Sequence, residues 1–174
     1  MSSIQPGASP RDTHIDTSED EMLAAYMRQA VQLSLENVRQ GGVPFSAVIV
    51  DPLRGVVGTG VNRVIAERDP LAHAEVVAMR DACSRRSHLW LAGCIMFASG
   101  EPCALCYTAA LWSNVSRILY AVDRYQAAEA GFDYVSSYDL FATQPAQWPI
   151  EVRAFPVEGA LEPFEEWRRM HGRR

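Results

Sequence analysis

Long hydrophobic runs are missing from this chain: no stretch approaches the roughly 18 to 20 apolar residues that a membrane span needs. Met1 to Asp20 also lack the basic start and apolar centre of an export signal. They are polar, broken by Pro6, Gly7 and Pro10, and read as a loose tail (1–20) ahead of one domain over 21–174. Positive charge is short as well, with a formal net charge of −5. A protein that grips a long tract of nucleic acid normally carries a basic balance or a basic face. Arg168, Arg169, Arg173 and Arg174 do cluster at the C-terminus, yet the balance leans toward a small-molecule substrate, with no nucleic-acid and no membrane partner expected. Cysteine is scarce too, four in all. Two disulfides would require an oxidising compartment. Cys103 and Cys106, with two residues between them and downstream of His73-Ala74-Glu75, are better explained as metal ligands. Cys83 and Cys94 are left as buried free thiols, which points to a reducing cytoplasm.

What is present suits a globular fold. At 174 residues and 48% hydrophobic content the chain can build one sizeable core. Ser18 and Glu21 have capping-box spacing before a run in which Leu23, Met27, Ala30, Val31, Ser34, Leu35 and Val38 recur at helical steps. Gly41-Gly42 ends that helix. Phe45 to Val50 and Val56 to Val61 read as paired strands around an Asp51-Pro52 turn. Next come a helix from about His73 to Arg86, a strand over Ile95 to Ser99, a helix from Pro102 through Trp112 and a strand over Ile118 to Val122. Gln126 to Ala130 reads as helical, Glu151 to Phe155 as a fifth strand, and Leu161 to Met170 as a closing helix. Strands separated by helices predict an α/β sheet layered with helices.

The chemistry sits in two segments, His73-Ala74-Glu75 and Pro102-Cys103-Ala104-Leu105-Cys106. One imidazole and two thiolates supply three zinc ligands, which leaves a tetrahedral position open and marks a catalytic rather than a closed structural site. Cys103 and Cys106, three apart, share one face of a helix start, where free N–H groups favour the thiolate. Glu75 is the spare carboxylate, placed to move protons provided that the helix is only beginning there. A lone Cys-x-x-Cys is more often structural or redox-active; His-Ala-Glu upstream favours hydrolysis. His14, His88 and His171 have no ligand-like neighbour. Asn62 is either a turn residue or an amide at a pocket rim. Phe45 and Trp112 are core aromatics or the walls of a flat pocket.

The order His-x-Glu, then Pro-Cys-x-x-Cys, is the signature of the zinc deaminases. Together with Gly42-Val43-Pro44-Phe45, Asn62, Asp69-Pro70-Leu71-Ala72, Glu101-Pro102-Cys103 and Ala127-Ala128-Glu129-Ala130-Gly131-Phe132-Asp133, it makes the chain resemble the short zinc-dependent guanine deaminases of bacteria, a branch of the cytidine deaminase superfamily. The likeness runs from about Leu23 to Arg168. It implies a three-layer α/β/α fold with a mixed five-stranded sheet and one zinc per subunit on His73, Cys103 and Cys106. It also implies Glu75 as proton shuttle and contacts to a nucleobase from Phe45, Asn62, Ala74 and Trp112. A homodimer with exchanged C-terminal segments is implied too. Two features depart from that branch: a second carboxylate is expected after Gly-Phe-Asp, where this chain has Tyr134, and the C-terminus is Gly172-Arg173-Arg174 instead of a tyrosine. Either Asp133 takes the second proton role or the substrate is another amino-heterocycle: cytosine, a triazine, a pterin or a nucleoside. A transfer-RNA adenosine deaminase and a non-enzymatic zinc module are the remaining readings.

Overall fold

Alternation along two central strands decides the layering. The computed structural model describes residues 17–172. In chain order they form α1 (Thr17–Arg39), β1 (Ser46–Asp51), β2 (Gly55–Val61), α2 (Val64–Glu67), α3 (Ala74–Arg86), β3 (Ile95–Gly100), α4 (Ala104–Trp112), β4 (Arg117–Val122), α5 (Arg124–Glu129), α6 (Ser136–Phe141) and α7 (Glu162–His171), with a 3-10 turn at Pro145–Gln147. Ala47 and Ile49 of β1 pack with Met79 and Ala82 of α3 and Ala110 of α4. Val48 and Val50, one position out of phase, pack with Ala30, Tyr26 and Met27 of α1. β3 does the same, with Met96 on the α3 side and Phe97 on the α1 side. Side chains that alternate across a strand thus need a helical layer on each face, and α1 lies on one face with α3 and α4 on the other.

The sheet runs β2-β1-β3-β4, and it is mixed: β1 is antiparallel to β2 and β3, while β3 and β4 are parallel. Each parallel step needs a crossover, and α4 supplies the one between β3 and β4. Three-layer α/β/α architecture is therefore as expected, but the described residues form four strands, not five. The expected strand at Glu151 to Phe155 is irregular and exposed. Pro149 and Pro156 bracket it and donate no backbone hydrogen bond, and Glu151 spends its carboxylate on Arg153 within the segment. A period-2 pattern makes a strand only where an edge is there to pair with it.

The chain divides into two compact units, one ending at Tyr138 and one from Asp139 onward. Of the expected tail at 1–20, residues 1–16 lie outside the described residues and 17–20 belong to the first turn of α1, so Ser18 sits inside the helix. In the second unit Trp148 donates its indole N–H to the Leu140 carbonyl at 3.2 Å and lies against Phe141. Leu161, Phe164, Trp167 and Met170 recur at three-residue steps along α7 and are exposed. Among the described residues no helix is long and apolar enough to cross a membrane.

The approach of α3 to β2 is unusually close, and α3 begins at the chemistry. A Cβ added to Gly60 would stand 2.3 Å from the Ala74 carbonyl oxygen and 2.4 Å from the Ala78 nitrogen. Both are backbone atoms. Gly58 faces the next turn of α3 in the same way, 2.6 Å from the Ala78 carbonyl. The first turn of α3 is thus seated directly on backbone.

Candidate active site

Two helices start at the same place. His73 is the N-cap of α3 and Cys103 the N-cap of α4, both with extended backbone angles. Cys106 follows one turn into α4 and is fully buried. His73 Nδ1 lies 3.5 Å from Cys103 Sγ and 3.4 Å from Cys106 Sγ, and the two sulfurs are 3.6 Å apart. These three donor atoms form the one His/Cys/Asp/Glu cluster of metal-binding compactness found among the described residues. A tetrahedral zinc with ordinary bond lengths requires about 3.8 Å between two sulfurs and about 3.6 Å between sulfur and nitrogen. The triangle matches that hole, and its donor types are those that zinc prefers.

Electrostatics point the same way. The Cys103 thiol is pulled down to about 4, first by its hydrogen bond with Cys106 and then by His73, against the cost of burial. Cys106 is pushed up by the same hydrogen bond and by burial. Hydrogen bonding to Cys103 raises His73. The N-terminal ends of two helices add positive potential around the sulfurs.

Glu75 is the second residue of α3, which answers the directional problem in the sequence: at a helix start it can point to the same side as the N-cap His73. It is 6% exposed, and burial raises its carboxyl above the usual range, with Cys106 as a hydrogen-bonding neighbour. A carboxylate so placed can both take and return a proton.

The cavity over this cluster is lined by Phe45, Asn62, His73, Glu75, Glu101, Cys103 and Tyr134. Asn62 directly follows β2 and uses its Oδ1 to accept the Val64 N–H at 3.2 Å, which leaves the amide NH2 as a donor. Turn role and rim role are met by the same side chain. Phe45 stands edge-on to Phe132 at 5.4 Å and to Tyr134 at 6.1 Å. Ala74, fully buried as the first residue of α3, contributes the backbone between His73 and Glu75.

Two expected residues lie elsewhere. Trp112 is 80% exposed at the far end of α4. It lies nine positions beyond Cys103, about 13 Å along the axis. Asp133 is exposed and turns its Oδ1 back to the Val135 N–H at 3.0 Å, so Tyr134 reaches the cavity in its place. Two contributors carry little signal in the sequence. Glu101 is marked there only as the residue before Pro-Cys, and its burial gives it a wall position. Asn37 on α1 donates to the Val43 carbonyl at 2.8 Å and the Asn62 carbonyl at 3.4 Å, tying together the two segments that carry Phe45 and Asn62. A polar residue in the last turn of an amphipathic helix gives no sign of that.

The model of the cytidine and deoxycytidylate deaminase zinc-binding region matches residues 20–122. The chain belongs to that family. It is similar to the guanine deaminase of Bacillus subtilis (strain 168), 38% identical over 149 residues that cover 82% of this chain and 92% of the relative. The crystal structure of a Bacillus subtilis guanine deaminase superposes with a TM-score of 0.79 at 35% identity, covering 87% of this chain and 96% of that one. A transfer-RNA-specific adenosine deaminase of Haemophilus influenzae is 31% identical over 116 residues, 66% of this chain and 67% of the relative. Family membership and the His-Cys-Cys donor set make this deaminase a zinc-dependent aminohydrolase. When bound, zinc would lower the pKa of a water toward neutrality, supplying the nucleophile for hydrolysis.

Proposed function

We propose that this deaminase converts guanine and water to xanthine and ammonia. The observation that carries the reading is its likeness to the Bacillus subtilis guanine deaminase along nearly the full length of that relative. The cavity supports it. Phe45 offers a flat apolar wall to a planar base, and the free amide NH2 of Asn62 offers a donor to a ring carbonyl oxygen. Glu75 receives the proton that water gives up as oxygen bonds to C2 and passes it to the ring nitrogen, then takes the proton of the new C2 hydroxyl, which becomes the carbonyl, and hands it to the departing amine. The C2–N bond breaks and ammonia leaves. The net charge of −5 supports a free base over a nucleic-acid substrate, and the four unpaired cysteines suit a reducing cytoplasm.

Tyr134 in the wall favours a second reading with the same chemistry on another amino-heterocycle, since a phenol replaces the expected carboxylate. Ammonia release from guanine, cytosine, adenine, guanosine, cytidine, triazines and pterins separates the two. Guanine turned over in preference to the others supports the first; rapid turnover of another member with guanine inert replaces it by the second.

We further propose a homodimer that exchanges C-terminal segments. Among the described residues β4 is an edge strand of the sheet, with Tyr120 and Val122 exposed, and the second unit carries an exposed apolar row along α7. Light scattering should then read about twice the 19.3 kDa chain mass; a monomer at micromolar concentration would end this reading.

A further inference from the structure

The short loop from β3 to α4 delivers Cys103, and it is gripped from two segments. Tyr134 donates its hydroxyl to the Glu101 carbonyl at 2.7 Å. Tyr138 donates to the next carbonyl, that of Pro102. On the far side of Cys103 the Ala104 N–H reaches the Ser137 hydroxyl at 3.4 Å. Four consecutive residues, 101–104, are thus held at three points by the 134–138 segment. A fourth hold comes from Arg124 at the start of α5. Its backbone N–H donates to Glu101 Oε2 at 2.9 Å and its guanidinium pairs with Oε1. The same guanidinium lies 3.6 Å from the centre of the Tyr138 ring. Arg124 therefore touches both the carboxylate anchored to the loop and the tyrosine that clamps it. Glu101 is 6% exposed, so this pair is screened far less than the ion pairs on the outer helices.

We propose that Arg124, acting through Glu101 and Tyr138, is a positioning residue that fixes Cys103 as a metal ligand. A planar cation is needed for this: it pairs with a carboxylate at its edge and stacks on an aromatic ring with its face, which an ammonium does not do equally well. Outer partners of metal ligands commonly shift metal affinity by about 10- to 100-fold when removed. Because Tyr134 also walls the cavity, the segment that holds the ligand shapes the substrate space. The inference rests on the metal centre and is independent of which base is deaminated.

The test reads the metal, not turnover. Zinc release from the intact protein to a chromophoric chelator should be about 10-fold faster or more in Arg124→Gln. The thiolate-to-cobalt band of the cobalt-loaded variant should shift or weaken, and Arg124→Lys should recover only part of both effects. Arg85→Gln, which breaks the exposed pair of Arg85 with Asp81 on α3, should leave release and spectrum unchanged. Tyr138→Phe removes a single hydroxyl and should move the same two readouts in the same direction, which covers the case of Arg124→Gln failing to fold. Wild-type release and spectrum in Tyr138→Phe, or in a folded Arg124→Gln, would overturn the proposal.

Discussion

Glu75→Gln should keep zinc and fold while losing about 100- to 10,000-fold in turnover, the usual share of a positioned general acid–base. Glutamine has the shape of glutamate and can fill the same buried space, so no cavity opens under α3. What it cannot do is accept a proton and hand it on. Glu75 is the buried carboxylate of the cavity left free for that work, because Glu101, the other carboxylate in the wall, is committed to Arg124. Zinc per chain, measured by atomic absorption, should match wild type because Glu75 is outside the ligand triangle. A rate within a few-fold of wild type would remove Glu75 as shuttle and leave it a structural role.

How much of this was readable in the sequence depends on how local each feature is. The ligands were legible because each is tied to a helix start: Pro102 announces α4, and Asp69-Pro70 precedes the loop into α3. Cys103 and Cys106 then converge by helical geometry alone. The succession of strand-like and helical segments likewise gave a sheet layered with helices. Failures came where the outcome depends on a distant partner. Glu151 to Phe155 has strand chemistry, yet a strand is a relation between two segments. Asp133 and Tyr134 are adjacent, and which one faces the cavity depends on the turn that Asp133 itself caps with Val135. Arg124 carried no local mark, because its meaning comes from Glu101, twenty-three residues earlier.

Replacing Cys106 should separate metal binding from proton transfer. Cys106→Ser takes a soft ligand from the buried corner of the triangle and leaves His73 and Cys103, too few to hold zinc tightly. Turnover should vanish together with zinc content, unlike Glu75→Gln, where only turnover falls. Stability should follow the metal. A ligand present at a thousand times its Kd stabilises the fold by about 4 kcal/mol. For a domain of this size that corresponds to a Tm difference on the order of 10 °C. Wild type treated with a strong chelator should lose that margin and regain it with zinc, whereas Cys106→Ser should sit at the lower Tm and ignore both. Because His73 and Cys103 cap α3 and α4, the metal acts as a tie between two helices packed on the same sheet face. Stoichiometric zinc in Cys106→Ser, with an unshifted Tm, would mean that the ligand set is not the one the triangle defines.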